Sequence, residues 1–394
     1  MTGIFANVIV SADRIILFFE RLAQGKYWLI QLTIILTVGF NIIYFPEAVI
    51  KRMQQEWTSQ DSNIQQFLNV KISEPFKPFA NAKDNDHLRK RELRFTPYLV
   101  GNLLGLDAAK LFYLQILLLP LFIYGVLKTL TTFARDKVVA ILGTLCLLFC
   151  YVGNSFYYDT LFLDSYAYFG LLAAILLRGN VISIPILILT YFVDERSLVP
   201  SMIIPLLSFM ELWKDKGAVV FDKETIVQSI VKNKAFWIIL ASQALYLVVR
   251  FYLSTIGLNT PVGHKNGVGF GIAFSYGQRL VPAILSSLKA NFVILILGLM
   301  YLHKNRSYLA ELWILGIFIL SAAIAMSVED VTRSLAYAFP VIFTFFLVMG
   351  GDKNNNLTRR FMLALACTNL LTPTYTLILD LIRIRTFGWI SLIL

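Results

Sequence analysis

One stretch of the chain concentrates groups that can do chemistry: Asp84-Asn85-Asp86-His87-Leu88-Arg89-Lys90-Arg91-Glu92-Leu93-Arg94-Phe95. Acids, a histidine and a run of cations fall within twelve residues. A carboxylate can take or orient a proton, and guanidinium groups grip phosphate through paired N–H donors. Read as a helix, the stretch puts His87, Arg91 and Arg94 on one face and Leu88, Phe95 and Leu99 on another. A surface helix with its cations turned to phosphate has this pattern; a solvated charge run beside lipid headgroups is the plainer reading. Asp84 and Asp86 precede the helix, where they either cap it or supply a base.

Other ionisable groups sit in turns between apolar runs. Asp194-Glu195-Arg196 lies between Phe192-Val193 and Leu198-Val199. Consecutive helical residues point three ways, so at least one acid of this turn needs a partner from elsewhere in the chain or a substrate hydroxyl. Glu329 and Asp330 precede Arg333 by four and three residues, within reach on one helix face. They form a local ion pair, or they hold the arginine for a phosphate. Asp159 and Asp164 stand among Tyr157, Tyr158, Tyr166 and Tyr168. Acids and aromatic rings together suit a sugar, although an interfacial aromatic belt also accounts for the tyrosines. Cys146, Cys150 and Cys367 lie in apolar runs without disulfide or metal-ligand spacing.

The elements that must position these groups are membrane helices. Hydrophobic residues make up 57% of the 394, charged residues 15%, and mean hydropathy is +0.69. A bilayer can hide that much apolar surface, and the long continuous apolar runs disfavour a β-barrel. The expected fold is all-α: a polytopic transmembrane helical bundle of about eleven spans. The first runs from 27 to 45. The rest fall near 110–131, 138–153, 165–177, 181–193, 197–213, 235–257, 290–302, 308–327, 334–350 and 361–379. Residues 165–177 and 181–193 are shorter than the roughly twenty needed to cross. Extending them draws Asp164 and Asp194 to the membrane boundary, where ionisable groups are costly and functional by default. Residues 1–26 read as a cytoplasmic amphipathic segment. Residues 27–394 form one transmembrane domain, with 46–94 as a large external loop carrying short amphipathic helices.

Net charge is +11 and the pI about 9.4. With the N-terminus inside, the inner short loops hold thirteen Lys or Arg, while the outer ones hold Arg196, Lys265 and Arg333, and two more if Arg279 and Lys289 are added. This is a positive-inside bias, and it explains the basic balance through the lipid bilayer with no nucleic acid partner. The expected location is a multi-pass integral protein of the bacterial inner (plasma) membrane. All the turn acids then face outward. Arg383 and Arg385 also fall outside, unless the C-terminus folds back.

The layout resembles the GT-C superfamily of integral-membrane glycosyltransferases. The residues carrying the likeness are Asp84-Asn85-Asp86-His87 with Arg89 to Arg94, Asp194-Glu195-Arg196, and Asp330-Val331-Thr332-Arg333. Many members place an acidic pair directly after the first span, where this chain has only Pro46-Glu47. The resemblance implies transfer from a polyprenyl-phosphate-linked sugar to a glycan, lipid or protein acceptor on the non-cytoplasmic face. Asp84 or Asp86 would be the base, with Asp194 and Glu195 as further catalytic candidates. Arg91, Arg94 and Arg333 would contact phosphate, and His87, Asp164, Arg196 and Asp330 would complete the substrate site. No cofactor is implied; the chemistry would admit a divalent metal, but no ligand set for one is readable. The rival readings are a polytopic transporter or flippase, and a glycan polymerase of the cell envelope.

Overall fold

A computed structural model of the chain describes residues 2–44, 63–78, 91–158, 163–214, 232–258, 269, 277–328, 330–349, 355–377 and 381–384. Those residues form helices joined by turns, with one short hairpin. The amphipathic α1 (Thr2–Leu22) precedes α2 (Trp28–Tyr44), and α3 (Asn63–Ser73) and α4 (Phe95–Leu104) follow in the loop region. Then come α5 (Ala108–Ala134), α6 (Lys137–Leu148), α7 (Tyr151–Tyr158), α8 (Asp164–Leu176), α9 (Ser183–Tyr191), α10 (Leu198–Ser201), α11 (Ile203–Lys214) and α12 (Lys234–Thr255). The last helices are α13 (Leu280–Leu288), α14 (Asn291–Lys304), α15 (Tyr308–Met326), α16 (Val331–Ala336), α17 (Phe343–Met349) and α18 (Asn355–Leu371). The antiparallel hairpin of β1 (Thr374–Leu377) and β2 (Leu381–Ile384) pairs Thr374 with Ile384.

Three helices, α5, α12 and α15, are long and apolar enough to cross a bilayer. The count rises to five if α6–α7 and α13–α14, bent by 61° and 75°, are each one span. Eleven full-length crossings are not seen, because breaks divide the apolar runs. The run expected at 197–213 splits at Met202 into α10 and α11. The run at 334–350 splits into α16, a 3-10 turn at Phe339–Ile342 and α17. Pro340 lies in that turn and cannot donate to a continuing helix. α8 and α9 remain 13 and 9 residues long. The expected last span stops at Leu371, two residues before Pro373, and the chain folds back as the hairpin, with Arg383 on β2.

The core forms around α5, which packs on α2, α6, α8 and α17. α17 approaches α6 closely at Gly143, where a Cβ would lie 2.5 Å from the Phe346 ring. The two bent pairs meet at their breaks. The Cys150 thiol donates to the Leu288 carbonyl (3.2 Å), and Asn291 and Asn369 donate to the Cys146 carbonyl (3.1 and 3.0 Å). Lys289 Nζ donates to the carbonyls of Asn369 and Thr372 (2.9 and 2.7 Å). A broken helix leaves carbonyls without intrahelical partners, and these side chains take them up.

The bundle has two polar ends. α8 starts at Asp164 and stops beside Arg178, which is about 20 Å away at 1.5 Å rise per residue. Arg178 pairs with Glu211 and lies over the Phe133 ring near the end of α5. Beyond that ring, Asp136 caps α6 and accepts from Arg359 (2.8 Å), and Arg359 also binds Glu20 of α1. At the opposite end, the Tyr166 hydroxyl donates to Leu111 (2.8 Å), which places the starts of α5 and α8 together.

Candidate functional site

The site is built from helix starts. Asp194 caps the 3-10 turn Glu195–Ser197 by accepting from the Arg196 N–H (3.0 Å). Asp330 caps α16 by accepting from the Arg333 N–H (3.2 Å). Asp164 is the first residue of α8, entered through Leu163 in the left-handed region (φ 57°). An acid is favoured at each position by the positive helix N-terminus. Each of the two caps also carries its own arginine two or three residues on.

The three starts converge. Arg333 Nε lies 3.1 Å from Asp164 Oδ2 and 3.4 Å from Asp330 Oδ2. Arg196 donates through Nε to Asp194 Oδ1 (2.7 Å), binds Asp194 Oδ2 and Ser334 Oγ with its two Nη groups, and comes within 3.8 Å of Asp164. Its guanidinium lies 5.1 Å over the Tyr337 ring. Tyr168 donates to the Arg333 carbonyl (3.2 Å), and Thr332 donates to Ala283 of α13 (3.0 Å).

Arg94 joins the loop region to this cluster. Its Nη1 lies 2.8 Å from Asp194 Oδ2. Three carboxylates therefore face three guanidiniums, and Arg94, at 19% exposure, is the member that reaches the surface. α4 is docked there by its first turn. Thr96 donates its N–H to Phe192 (3.4 Å) and its hydroxyl to Leu189 (2.7 Å), and the Phe95 and Phe192 rings pack 4.2 Å apart.

The expected continuous helix across 84–95 is not what forms where the chain is described. Residues 91–94 make a turn, with the Arg94 N–H donating to Arg91 (3.0 Å), and α4 begins at Phe95. Pro97 explains the start, since proline fits only in a first turn. Asp84, Asp86 and His87 lie outside the described residues, as do Asp159 and Glu329. Arg91 is buried, and it and Arg94 lie near the Tyr98 hydroxyl, whose pKa burial pushes up to about 12 against both cations.

Electrostatics divides the acids. Burial pushes Asp194 up, but Arg196 and then Arg94 outweigh it and hold the carboxyl well below the usual range. Burial raises Asp330, and Arg333 and Arg196 only partly oppose it. Asp194 is thus a fixed anion anchoring two arginines, and Asp330 is the acid readier to hold a proton. Glu195 turns away from this cluster and pairs with Arg250 of α12.

Sequence reasoning missed Arg250, Ser334 and Tyr337. A lone arginine inside the apolar run of α12 was the available signal. It also missed Lys71, fully buried on α3, which donates to the Lys77 carbonyl (2.8 Å). Burial lowers its pKa to about 8, and Glu92 partly restores it. Among the described residues no group of three or more His, Cys, Asp or Glu is placed to hold a metal. An open cleft of about 400 Å³ between α3, α4 and the start of α5 is lined by Asn69, Asn102, Asp107 and Lys110, at the far end of α4 from Arg94. Comparison of the chain with protein-family models, curated proteins and solved structures gives no match.

Proposed function

We propose that this chain is a multi-pass membrane glycosyltransferase of the GT-C kind, moving a sugar from a polyprenyl-phosphate-linked donor to a glycan, lipid or protein acceptor. The observation that carries this reading is Arg94. It links the cation-rich end of the 46–94 loop to Asp194 and, through Arg196, to Asp164, with Arg333 and Asp330 beyond. A transporter or flippase needs polar groups along a path through the bilayer. Here the buried charges of Asp164, Asp194, Arg196 and Arg333 join helix starts at one of the bundle's two polar ends, which favours surface chemistry on a lipid-borne substrate.

In this reading the bundle sits in the bacterial inner membrane with its N-terminus cytoplasmic, and the short apolar helices complete about eleven passes. Arg94 and Arg91 contact the phosphate of the donor. Arg196 and Arg333, held by Asp164, Asp194 and Asp330, supply fixed positive potential behind them. A carboxylate of Asp84 or Asp86 takes the acceptor hydroxyl proton. The hydroxyl oxygen bonds to the anomeric carbon as the carbon–oxygen bond to phosphate breaks, and the lipid phosphate leaves with the electron pair.

Full-length protein in proteoliposomes, given a panel of labelled polyprenyl-phosphate sugars, tests this. Wild type is expected to transfer one of them, and Asp86→Asn and Arg94→Gln each to lower turnover by about a hundredfold while remaining folded. Full turnover by Asp86→Asn assigns the base elsewhere, and no transfer from any donor by folded wild type rejects the reading.

A further inference from the structure

Arg250 is a fourth arginine at the site end, and its surroundings differ from those of Arg94, Arg196 and Arg333. It lies on α12, inside one of the helices long and apolar enough to cross a bilayer. Its Nη1 binds Glu195 and the Tyr246 hydroxyl (2.6 Å). Tyr246 is buried and packs on Phe192 (4.7 Å between rings) and Tyr191 (5.5 Å). Arg250 and Glu195 are 30% and 41% exposed, whereas Asp194, the next residue to Glu195, is sealed. The pair therefore stands at the seam between the buried ion cluster and the outer face of α12.

That outer face is apolar. Leu240, Leu247 and Phe251 are all exposed and recur at spacings of seven and four, one row on the helix flank beside Arg250. An arginine in such a place is expensive unless an anion meets it, and among the described residues its anion is the half-exposed Glu195 carboxylate, with the Tyr246 hydroxyl as a neutral partner. A phosphate carries the same charge sign and two or more oxygens for the guanidinium fork.

We infer that Arg250 and Tyr246 form a lateral contact for the phosphate of a long-chain polyprenyl lipid. The phosphate displaces Glu195 from Arg250, and the chain lies along the Leu240–Leu247–Phe251 row. The inference rests on the proposed donor class and adds a route: the lipid reaches the cluster sideways past α12, next to Asp194. Glu195 is the competing anion that occupies Arg250 when no lipid is bound.

The test is binding, without sugar transfer, using full-length protein in nanodiscs of zwitterionic lipid and titrated polyprenyl monophosphate. Arg250→Gln is expected to weaken binding about tenfold. Glu195→Gln is expected to tighten it severalfold, because it removes the competitor. A purely structural ion pair predicts no gain for Glu195→Gln, so an unchanged or weaker affinity in that variant overturns the inference even if Arg250→Gln unfolds. Polyprenyl alcohol, phosphatidic acid and inorganic phosphate serve as competitors. Phosphatidic acid competing as well as polyprenyl phosphate would reduce the site to a general headgroup contact and overturn the assignment, as would inorganic phosphate binding equally. If the variants shift binding as stated but wild type transfers no sugar, the lipid site stands and the transferase reading fails. If transfer occurs and neither variant alters binding, the reverse holds.

Discussion

At the end of the bundle where α8 begins, the side chains of Asp164, Asp194, Arg196 and Arg333 are at most 6% exposed. At the end where α8 stops, Asp13 and Arg360 are 42% and 44% exposed. Both ends use the same residue types at similar distances, and burial separates their roles. An exposed pair competes with water at every moment and contributes little. A buried charge has no water to fall back on, so each member depends on its partners, and removing one strands the others. At one end the Asp13–Arg360 pair therefore adds little where α1 meets α18. The other holds a mutually dependent charge set whose only partly exposed member, Arg94, points to the loop that the proposed chemistry uses.

The largest effect that could break this contrast is at Asp194. Asp194→Ala leaves Arg94 and Arg196 without their shared anion. The expected loss is about 3–5 kcal/mol, read as a lower unfolding midpoint in detergent. Adding Arg196→Met should recover part of it, since the stranded charge goes too. An equal loss from Asp13→Ala would erase the difference between the ends.

Lys71 extends the contrast to the loop helices beside Arg94. Its folded-state pKa of about 8 lies below the ordinary 10.5. Between those values the unfolded chain holds a proton that the folded chain has shed, so stability rises with pH across that window. Below about pH 8 both states are protonated and the contribution is flat. The rise is at most about 3 kcal/mol. Lys71→Met should abolish it, as followed by hydrogen exchange in α3 and α4 from about pH 7 to about pH 10.

Much of the site-end cluster was readable because charged turns between apolar runs stand out: Asp194-Glu195-Arg196 and Asp330 with Arg333 needed only helix geometry to be singled out. Their meeting with Asp164 is a tertiary event, and no local spacing encodes it. Arg250 hid in an apolar run that reads as membrane whatever its one charge does. The helix break at Lys289 carries no glycine or proline at the bend, and distant partners such as Asn369 hold it. The break at Cys150 has Gly153 one turn on, where a Cβ would lie 2.1 Å from the Leu148 carbonyl, and the Cys150 thiol reaches Leu288. That is also why continuous runs suggested more full-length spans than the five that the described helices can make.

Asp136 offers a middle case that sharpens the comparison. It belongs to the end where α8 stops but is only 8% exposed, capping Val138 and Val139 (2.8 and 3.1 Å) while holding Arg359. Asp136→Ala should cost about 1–2 kcal/mol in unfolding stability, more than the surface pairs beside it and less than Asp194→Ala. Arg359 keeps Glu20, which limits the loss. A cost as small as that of a surface pair would mean that position along the bundle, and not burial, sets the energetics.

The smallest effect is at Asp13 and Arg360. The Arg360 hydrogen bond holds the Asp13 carboxyl below its usual range, so the pair acts at neutral pH and is lost as acid protonates Asp13. Asp13→Asn should leave the unfolding midpoint within error of wild type. Salt makes the point decisive, because about 1 M shortens the screening length to about 3 Å. Any residual difference between Asp13→Asn and wild type should vanish there, whereas the gap between Asp194→Ala and wild type should not move. If salt did close the Asp194 gap, water and ions would have to reach the buried carboxylates, and the two ends would differ only in degree.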